Sequence, residues 1–266
     1  MRSRQPAAPA WSALPATVTD KAGQTRPGSP EIGGRPAAFC DLGLRAYAEA
    51  YALQVALAAR RHQGVIEQDL FLAVEHPPVF TLGRRGGREH LGVTAAFLES
   101  RNIALVPIER GGDITYHGPG QLVLYPIINL RQARLSVSDY VFRLEEVMLR
   151  IAADFGVSTD RDERNHGIWV GNNKLGSIGI AIRHSITFHG LALNINTDLE
   201  PFSWINPCGL RNIDMTSLAR ERGASCPLDA VQSRLRHHLA EVFGVQLQTL
   251  DAAALTAHSK PTKLLP

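Results

Sequence analysis

The chain has 266 residues, 44% hydrophobic and 20% charged, enough to bury a full core in one domain of above-average size. No apolar run approaches the roughly 18 residues of a membrane span, the N-terminus lacks a secretory signal's apolar stretch, and three cysteines without a CxxC pair make neither a disulfide framework nor a zinc motif. The net charge of +3 is carried by residues 1–36, where Arg2, Arg4, Lys21, Arg26 and Arg35 face Asp20 and Glu31; the neutral remainder speaks against a nucleic-acid surface.

Residues 1–36 are rich in Pro, Ala, Gly and Ser without periodicity, which predicts a disordered leader. Two readings of it stay open. It is poor in acids and contains arginine, like an organellar transit peptide, but its prolines oppose an amphipathic helix; a dispensable bacterial extension is the alternative. A cytoplasmic location is therefore expected, with the mitochondrial matrix as the minority reading.

From Leu44 to His62 good helix formers place Tyr47, Tyr51, Val55 and Ala58 on one face, and Gly64 stops the helix. "DLFLAVEH" (69–76) reads as a buried strand ended by Pro77-Pro78, and "VFTLGRRGG" runs on into a glycine-rich loop. "NIALVPIERGG" (102–112) repeats that design. "QLVLYPIINL" (121–130) is another strand. Ser138 or Asp139 then caps a helix that keeps Tyr140, Leu144, Val147, Met148 and Ile151 at helical spacing and closes at Gly156. "GIWVGNNKLGSIGIAI" (167–182) predicts a hairpin, with Gly171-Asn172-Asn173 supplying positive φ angles, and "TFHGLALNIN" (187–196) predicts a neighbouring strand. A helix over Leu228 to Phe243 precedes an irregular tail over 249–266. Several strands interleaved with helices, one hairpin among them, predict a mixed β-sheet flanked by helices, α/β in the broad sense or α+β.

Four segments hold candidates for chemistry. Arg110 to Gly120, "RGGDITYHGPG", packs four glycines after a strand, which suits either an elaborate hairpin loop or a backbone close to a ligand; it is neither a Walker loop nor a GxGxxG fingerprint. Lys174 beside the Asn-Asn turn reads as a solvated edge charge, or as an acid/base if desolvated. His76, His117 and His189 lack metal-ligand spacing, so no metal is assigned. In "INPCGL" (205–210), Pro207 and Gly209 hold Cys208 in a rigid turn, where the thiol is either inert or a nucleophile beside free backbone amides.

Taken together, "RGGDITYHGPGQLVLYPI", "KLGSIGIAI", "HGLALNIN" and "INPCGL" closely resemble, in order and spacing, the lipoyl(octanoyl) transferase family over about residues 40–245. The resemblance implies a single catalytic domain, residues 37–248, with the fold of the biotin and lipoate protein ligase catalytic domains. It implies no cofactor. The implied reaction moves an octanoyl group from the thioester of octanoyl-acyl carrier protein to a lysine of a lipoyl domain, in 2-oxoacid dehydrogenase complexes and the glycine cleavage H protein. Carried over by position, the nucleophile is Cys208 and the acid/base that lowers its pKa is Lys174. The acyl-pocket residues are Arg110, Gly111, Gly112, Asp113, Ile114, Thr115, Tyr116, His117, Ser177, Ile178, Gly179, Gly190, Leu191 and Ala192.

A thiol of pKa about 8.5 is only a few per cent ionised at neutral pH, which a nearby lysine corrects. A glycine-lined passage would let the acyl chain lie against backbone, with six buried methylenes contributing roughly 5 kcal/mol. Arg84, Arg85 and Arg88, the densest basic cluster outside the leader, suit either docking of an acidic carrier protein or a solvated loop. Competing readings are an ATP-dependent lipoate or biotin ligase, an amidotransferase between lipoyl proteins, and a non-catalytic binder; membrane and nucleic-acid partners are not expected.

Overall fold

The computed structural model describes residues 34–163, 165–206 and 214–259, so the leader reading over 1–33 and Cys208 itself lie outside the described residues. The main sheet is built on β2 (Asp69–Glu75) and β6 (Gln121–Ile127), antiparallel neighbours. Both are apolar runs rather than alternating strands, because helices cover both their faces. On one side of this pair lie β1 (Arg35–Leu44), parallel to β2, and β11 (Val245–Thr249), parallel to β1. On the other lie β9 (Ile186–Asn194), β8 (Asn173–Arg183) and the two-residue β10 (Asp214–Met215), with β7 (Gly167–Val170) also paired to β8. A separate three-stranded sheet has the order β4 (Ala104–Pro107), β3 (Val79–Leu82), β5 (Ile114–His117). The expected mixed sheet flanked by helices is present.

One face of the main sheet buries Phe71, Leu124, Leu191 and Leu193 under α3 (Val137–Asp154) and α5 (Leu228–Phe243). The opposite face buries Leu72, Val123, Tyr125 and Phe188 under α1 (Tyr47–His62), joined by Leu255 of α6 (Ala252–Ser259). Two short α-helices, α2 (Ala95–Ser100), whose Leu98 packs on the small sheet, and α4 (Leu218–Arg222), and two 3-10 turns, Arg88–His90 and Glu200–Trp204, complete the described elements. Among the described residues no helix is long and apolar enough to cross a membrane.

Several local expectations need correction. The cap of α3 is Ser136, not Ser138 or Asp139; Asp139 is its partner three residues on, closing a reciprocal capping box. In the β7–β8 turn only Gly171 has positive φ, so the two asparagines are not left-handed. The buried side of α1 is Tyr47, Ala50, Leu53, Gln54, Leu57 and Arg61 rather than the row through Val55 and Ala58, and the helix starts at Tyr47 because Leu44 still belongs to β1. β1 itself, beginning at Arg35, was not foreseen. Within the glycine-rich segment 110–120, Ile114–His117 is a strand rather than loop, and the tail expected to be irregular holds α6.

Candidate active site

Lys174 is no edge charge. Its strand β8 is paired on one side with β7, where Trp169 stands directly opposite it, and on the other with β10, where Met215 is its partner. Only 7% of the residue is exposed. The ammonium lies 5.0 Å from the centroid of the Trp169 ring, whose face offers it electrostatic compensation for lost water. The stem passes over Gly167, at φ +136°, where a Cβ would come within 2.9 Å of Lys174 Cε. A cavity of about 140 Å³ opens beside this lysine.

Its walls come from β5, β6, β8 and β9. Arg110, with only 7% exposure, anchors the segment leading into β5: its guanidinium donates to the Thr81 carbonyl at 2.8 Å and to the Gly111 carbonyl at 3.0 Å, while Gly111 N–H reaches Ile180 O of β8 at 2.8 Å. Asp113 accepts from Ile114 N–H at 2.6 Å and faces His90 Nδ1 at 2.6 Å, a bond that holds His90 above its ordinary pKa. Gly179 and Gly190 are register partners on β8 and β9. A side chain at Gly179 would come within 2.9 Å of Arg110 Cδ, and one at Gly190 would strike the Leu124 carbonyl. These two glycines therefore serve close approach of the protein's own atoms as well as any ligand's.

The α1 side of the cavity is aromatic and polar, and wholly uncharged near neutral pH among its histidines. His117 stacks on Tyr47 at 6.0 Å and shares a 2.7 Å hydrogen bond with Gln121. Burial lowers its pKa to about 3, and burial likewise takes His76 and His189 to about 4. His76 lies behind Tyr125, at 2.7 Å from its hydroxyl. His189 has φ +55° in mid-strand. Strict alternation would put it on the face of Leu191 and Leu193, but the left-handed backbone turns its ring to Tyr51, 5.7 Å away, and Tyr125, 6.4 Å away. Such a conformation costs a non-glycine residue on the order of 1–3 kcal/mol, and Gln54 of α1 helps hold it by accepting His189 N–H at 2.7 Å. Glu109, which accepts from Tyr51 at 2.7 and 2.9 Å, lies 3.8 Å from His189 Nε2.

Lys174, Arg110, Gly112 to Thr115, His117, Ser177 to Gly179 and Gly190 to Ala192 thus converge on one cavity. Gly111 and Tyr116 do not line it. Tyr116 packs instead into the apolar cluster of the small sheet, against Phe80 at 5.3 Å and Phe202 at 5.5 Å. Sequence reasoning missed Tyr47, Tyr125 and Trp169. For Trp169 a signal existed, since a two-residue turn at 171–172 aligns it with Lys174; Tyr47 needs the packing of α1. Cys40 and Cys226 are buried and free, and burial pushes the Cys40 thiol up to about 11.

Residues 46–240 match the lipoyl protein ligase A/B catalytic domain. The chain belongs to that family. It is 56% identical to an octanoyltransferase of Desulfotalea psychrophila over 77% of this chain and 92% of that protein, and 44% identical to an octanoyltransferase of Syntrophobacter fumaroxidans over 79% and 91%. This places it among acyltransferases. A bipartite lipoate protein ligase of Thermoplasma acidophilum, solved in a study of an archaeal lipoylation system with its E2 lipoyl domain, superposes with a TM-score of 0.68 at 14% identity over 85% of this chain and 91% of that one. At that identity the likeness is one of fold.

Proposed function

We propose that the chain transfers an octanoyl group from octanoyl-acyl carrier protein to a lysine of lipoyl domains through a thioester on Cys208. One observation carries this reading. Ile205 and Asn206, just before residues 207–213, and Met215, just after them, line the same cavity as buried Lys174. This supports a nucleophile from that segment working with Lys174.

In the first half-reaction the Cys208 thiol passes its proton to neutral Lys174, the resulting thiolate attacks the octanoyl carbonyl, and the carrier's pantetheine thiolate leaves as the C–S bond breaks. Lys174 returns that proton to the leaving thiolate. In the second, the lipoyl-domain amine attacks the acyl-enzyme, Lys174 accepts the amine proton, and Cys208 leaves and is reprotonated. The thioester is already activated, so ATP is not consumed. The cavity holds the acyl chain between β5, β8 and β9. Acceptors are the lipoyl domains of 2-oxoacid dehydrogenase complexes and the glycine cleavage H protein.

Arg84, Arg85 and Arg88 are exposed on the segment that follows β3. That segment is tied to the cavity wall by Arg84 N–H to Arg110 O at 2.9 Å and Arg85 N–H to Gly112 O at 3.0 Å, which supports docking of the acidic carrier there. Intact-mass analysis after mixing the protein with octanoyl-acyl carrier protein tests the reaction. The expected result is one octanoyl adduct, discharged by a lipoyl domain and absent in Cys208→Ala. Transfer that requires ATP and survives Cys208→Ser would support a ligase instead.

A further inference from the structure

Away from the cavity, where α5 packs on the C-terminal end of α3, two histidines and two carboxylates meet in an arrangement the acyl chemistry does not use. His237 Nε2 lies 3.4 Å from Glu241 Oε1, and His238 Nδ1 lies 3.8 Å from Glu241 Oε2. One donor atom from each of the three residues falls within 4.8 Å of the others. A tetrahedral zinc site, with ligands about 2.0–2.2 Å from the ion, spaces its donor atoms about 3.3–3.5 Å apart. Two of the separations here, 3.4 and 3.8 Å, lie close to that spacing.

His238 points to an ion. Its side chain is 9% exposed, and its Nε2 makes a 2.7 Å bond to Asp154 Oδ2 at the end of α3. With the proton on Nε2, that bond leaves a lone pair on Nδ1. Nδ1 is buried, has no hydrogen-bond partner among the described residues and lies 3.8 Å from Glu241 Oε2, so in that tautomer two acceptors face each other. A cation between them removes the conflict. The Asp154–His238 bond also has the form that orients a metal-ligating imidazole from behind. Two cations border the group: Arg150, 3.2 Å from Glu241 Oε2, and Arg234, 3.6 Å from Asp154. Arg150 keeps a second partner in Glu146 at 2.9 Å, so Glu241 can be released to a metal without stranding the guanidinium.

We infer that His237, His238 and Glu241 form a binding site for a borderline divalent transition ion of the zinc class, with Asp154 as the supporting carboxylate that joins α5 to α3. Two imidazoles and one carboxylate select such an ion over magnesium or calcium, which take oxygen ligands. Three protein ligands leave a fourth position for water. The sequence reading assigned no metal because it looked at the histidines nearest the glycine-rich segments, and the pattern His-His-x-x-Glu becomes informative only once Asp154 is seen behind it.

Isothermal titration of zinc chloride into the full chain is the test. One equivalent should bind in the micromolar range or tighter, magnesium chloride should give no heat, and the unfolding midpoint should rise by about 5 °C at hundredfold saturation. His237→Ala and Glu241→Gln, both at exposed positions, should each weaken zinc at least tenfold, and Asp154→Asn about tenfold or more. Cobalt should bind with a visible spectrum free of sulfur-to-metal charge-transfer bands, which separates the site from the cysteines. The inference is overturned by the absence of binding below about 100 µM, by zinc affinity within threefold of the parent in both His237→Ala and Glu241→Gln, or by sulfur bands. Loss of zinc in His62→Ala instead would move the site to the stacked pair His62 and His184 and overturn it equally.

Discussion

Replacing Lys174 by Met removes the ammonium and keeps most of the stem that passes over Gly167. The cation–π contact with Trp169, at 5.0 Å, contributes about 0.5–2 kcal/mol, and the replacement also relieves a buried charge of its desolvation cost. The two effects oppose each other. Loss of the Trp169 contact by itself should destabilise by less than about 2 kcal/mol, a fall of no more than about 4–8 °C in the unfolding midpoint of a domain this size. Loss of a positioned general base costs about 10²–10⁴ in rate, or roughly 2.7–5.5 kcal/mol of barrier. The assay is single-turnover release of carrier-protein thiol from octanoyl-acyl carrier protein at 25 °C, beside a melting curve. A second readout is the pH profile of Cys208 alkylation by iodoacetamide, whose apparent pKa should move towards the ordinary value of about 8.5. Acyl transfer within tenfold of the parent, with an unchanged alkylation profile, would refute the role given to Lys174. So would a rate loss no larger than the folded fraction explains.

Ala192 lines the cavity at 8% exposure beside Val123, its register partner on β6. Ala192→Leu should shorten the acyl space and lower kcat/KM for octanoyl tenfold or more relative to butanoyl thioesters; an unchanged ratio places the acyl chain elsewhere. Folding stability should fall with acid. His76, His117 and His189 have folded pKa values of about 4, about 3 and about 4, below the unfolded value of about 6.5, so the unfolded chain takes up protons that the folded one refuses as pH drops from 6.5 towards 4. At pH 5 each contributes about 2 kcal/mol of lost stability relative to pH 8, and a flat urea midpoint between those pH values would contradict the burial of all three. Changing Arg84, Arg85 and Arg88 to Gln should raise KM for the carrier protein and flatten its salt dependence, with turnover of a small octanoyl thioester unchanged. An unaltered salt slope removes these arginines from docking.

Long periodic elements were readable directly: α5 runs from Leu228 to Phe243 as its spacing demands, and the apolar runs of β2 and β6 announce strands covered on both faces. β1 was hidden because Arg35-Pro36 continues the composition of the leader, and its strand character comes from pairing with β2 and β11, which are distant in sequence. The cavity was legible through the family resemblance, since glycine density alone also suits an elaborate hairpin loop, and the reason for two of its glycines was not legible at all. Gly179 and Gly190 make room for Arg110 and for the Leu124 carbonyl, neighbours that only the fold brings near. His189 shows the same limit, since period-two reasoning assigns it the wrong face until its positive φ is known. Tyr116 fails in the opposite direction, because the resemblance carried over a whole segment while one member of it packs among Phe80 and Phe202.

The parallel pairing of β1 with β11 sets a schedule for making the protein. Arg35 is synthesised near the beginning of the domain and its partner Val245 near its end. At about 5–20 residues per second, the outer edge of β1 stays without that partner for on the order of ten to forty seconds, although β2 can occupy its inner edge early. A bare strand edge is a template for other chains, so the nascent protein is most open to mispairing during this interval. The residues around the cavity, all between Tyr47 and Met215, have left the ribosome before the sheet can close.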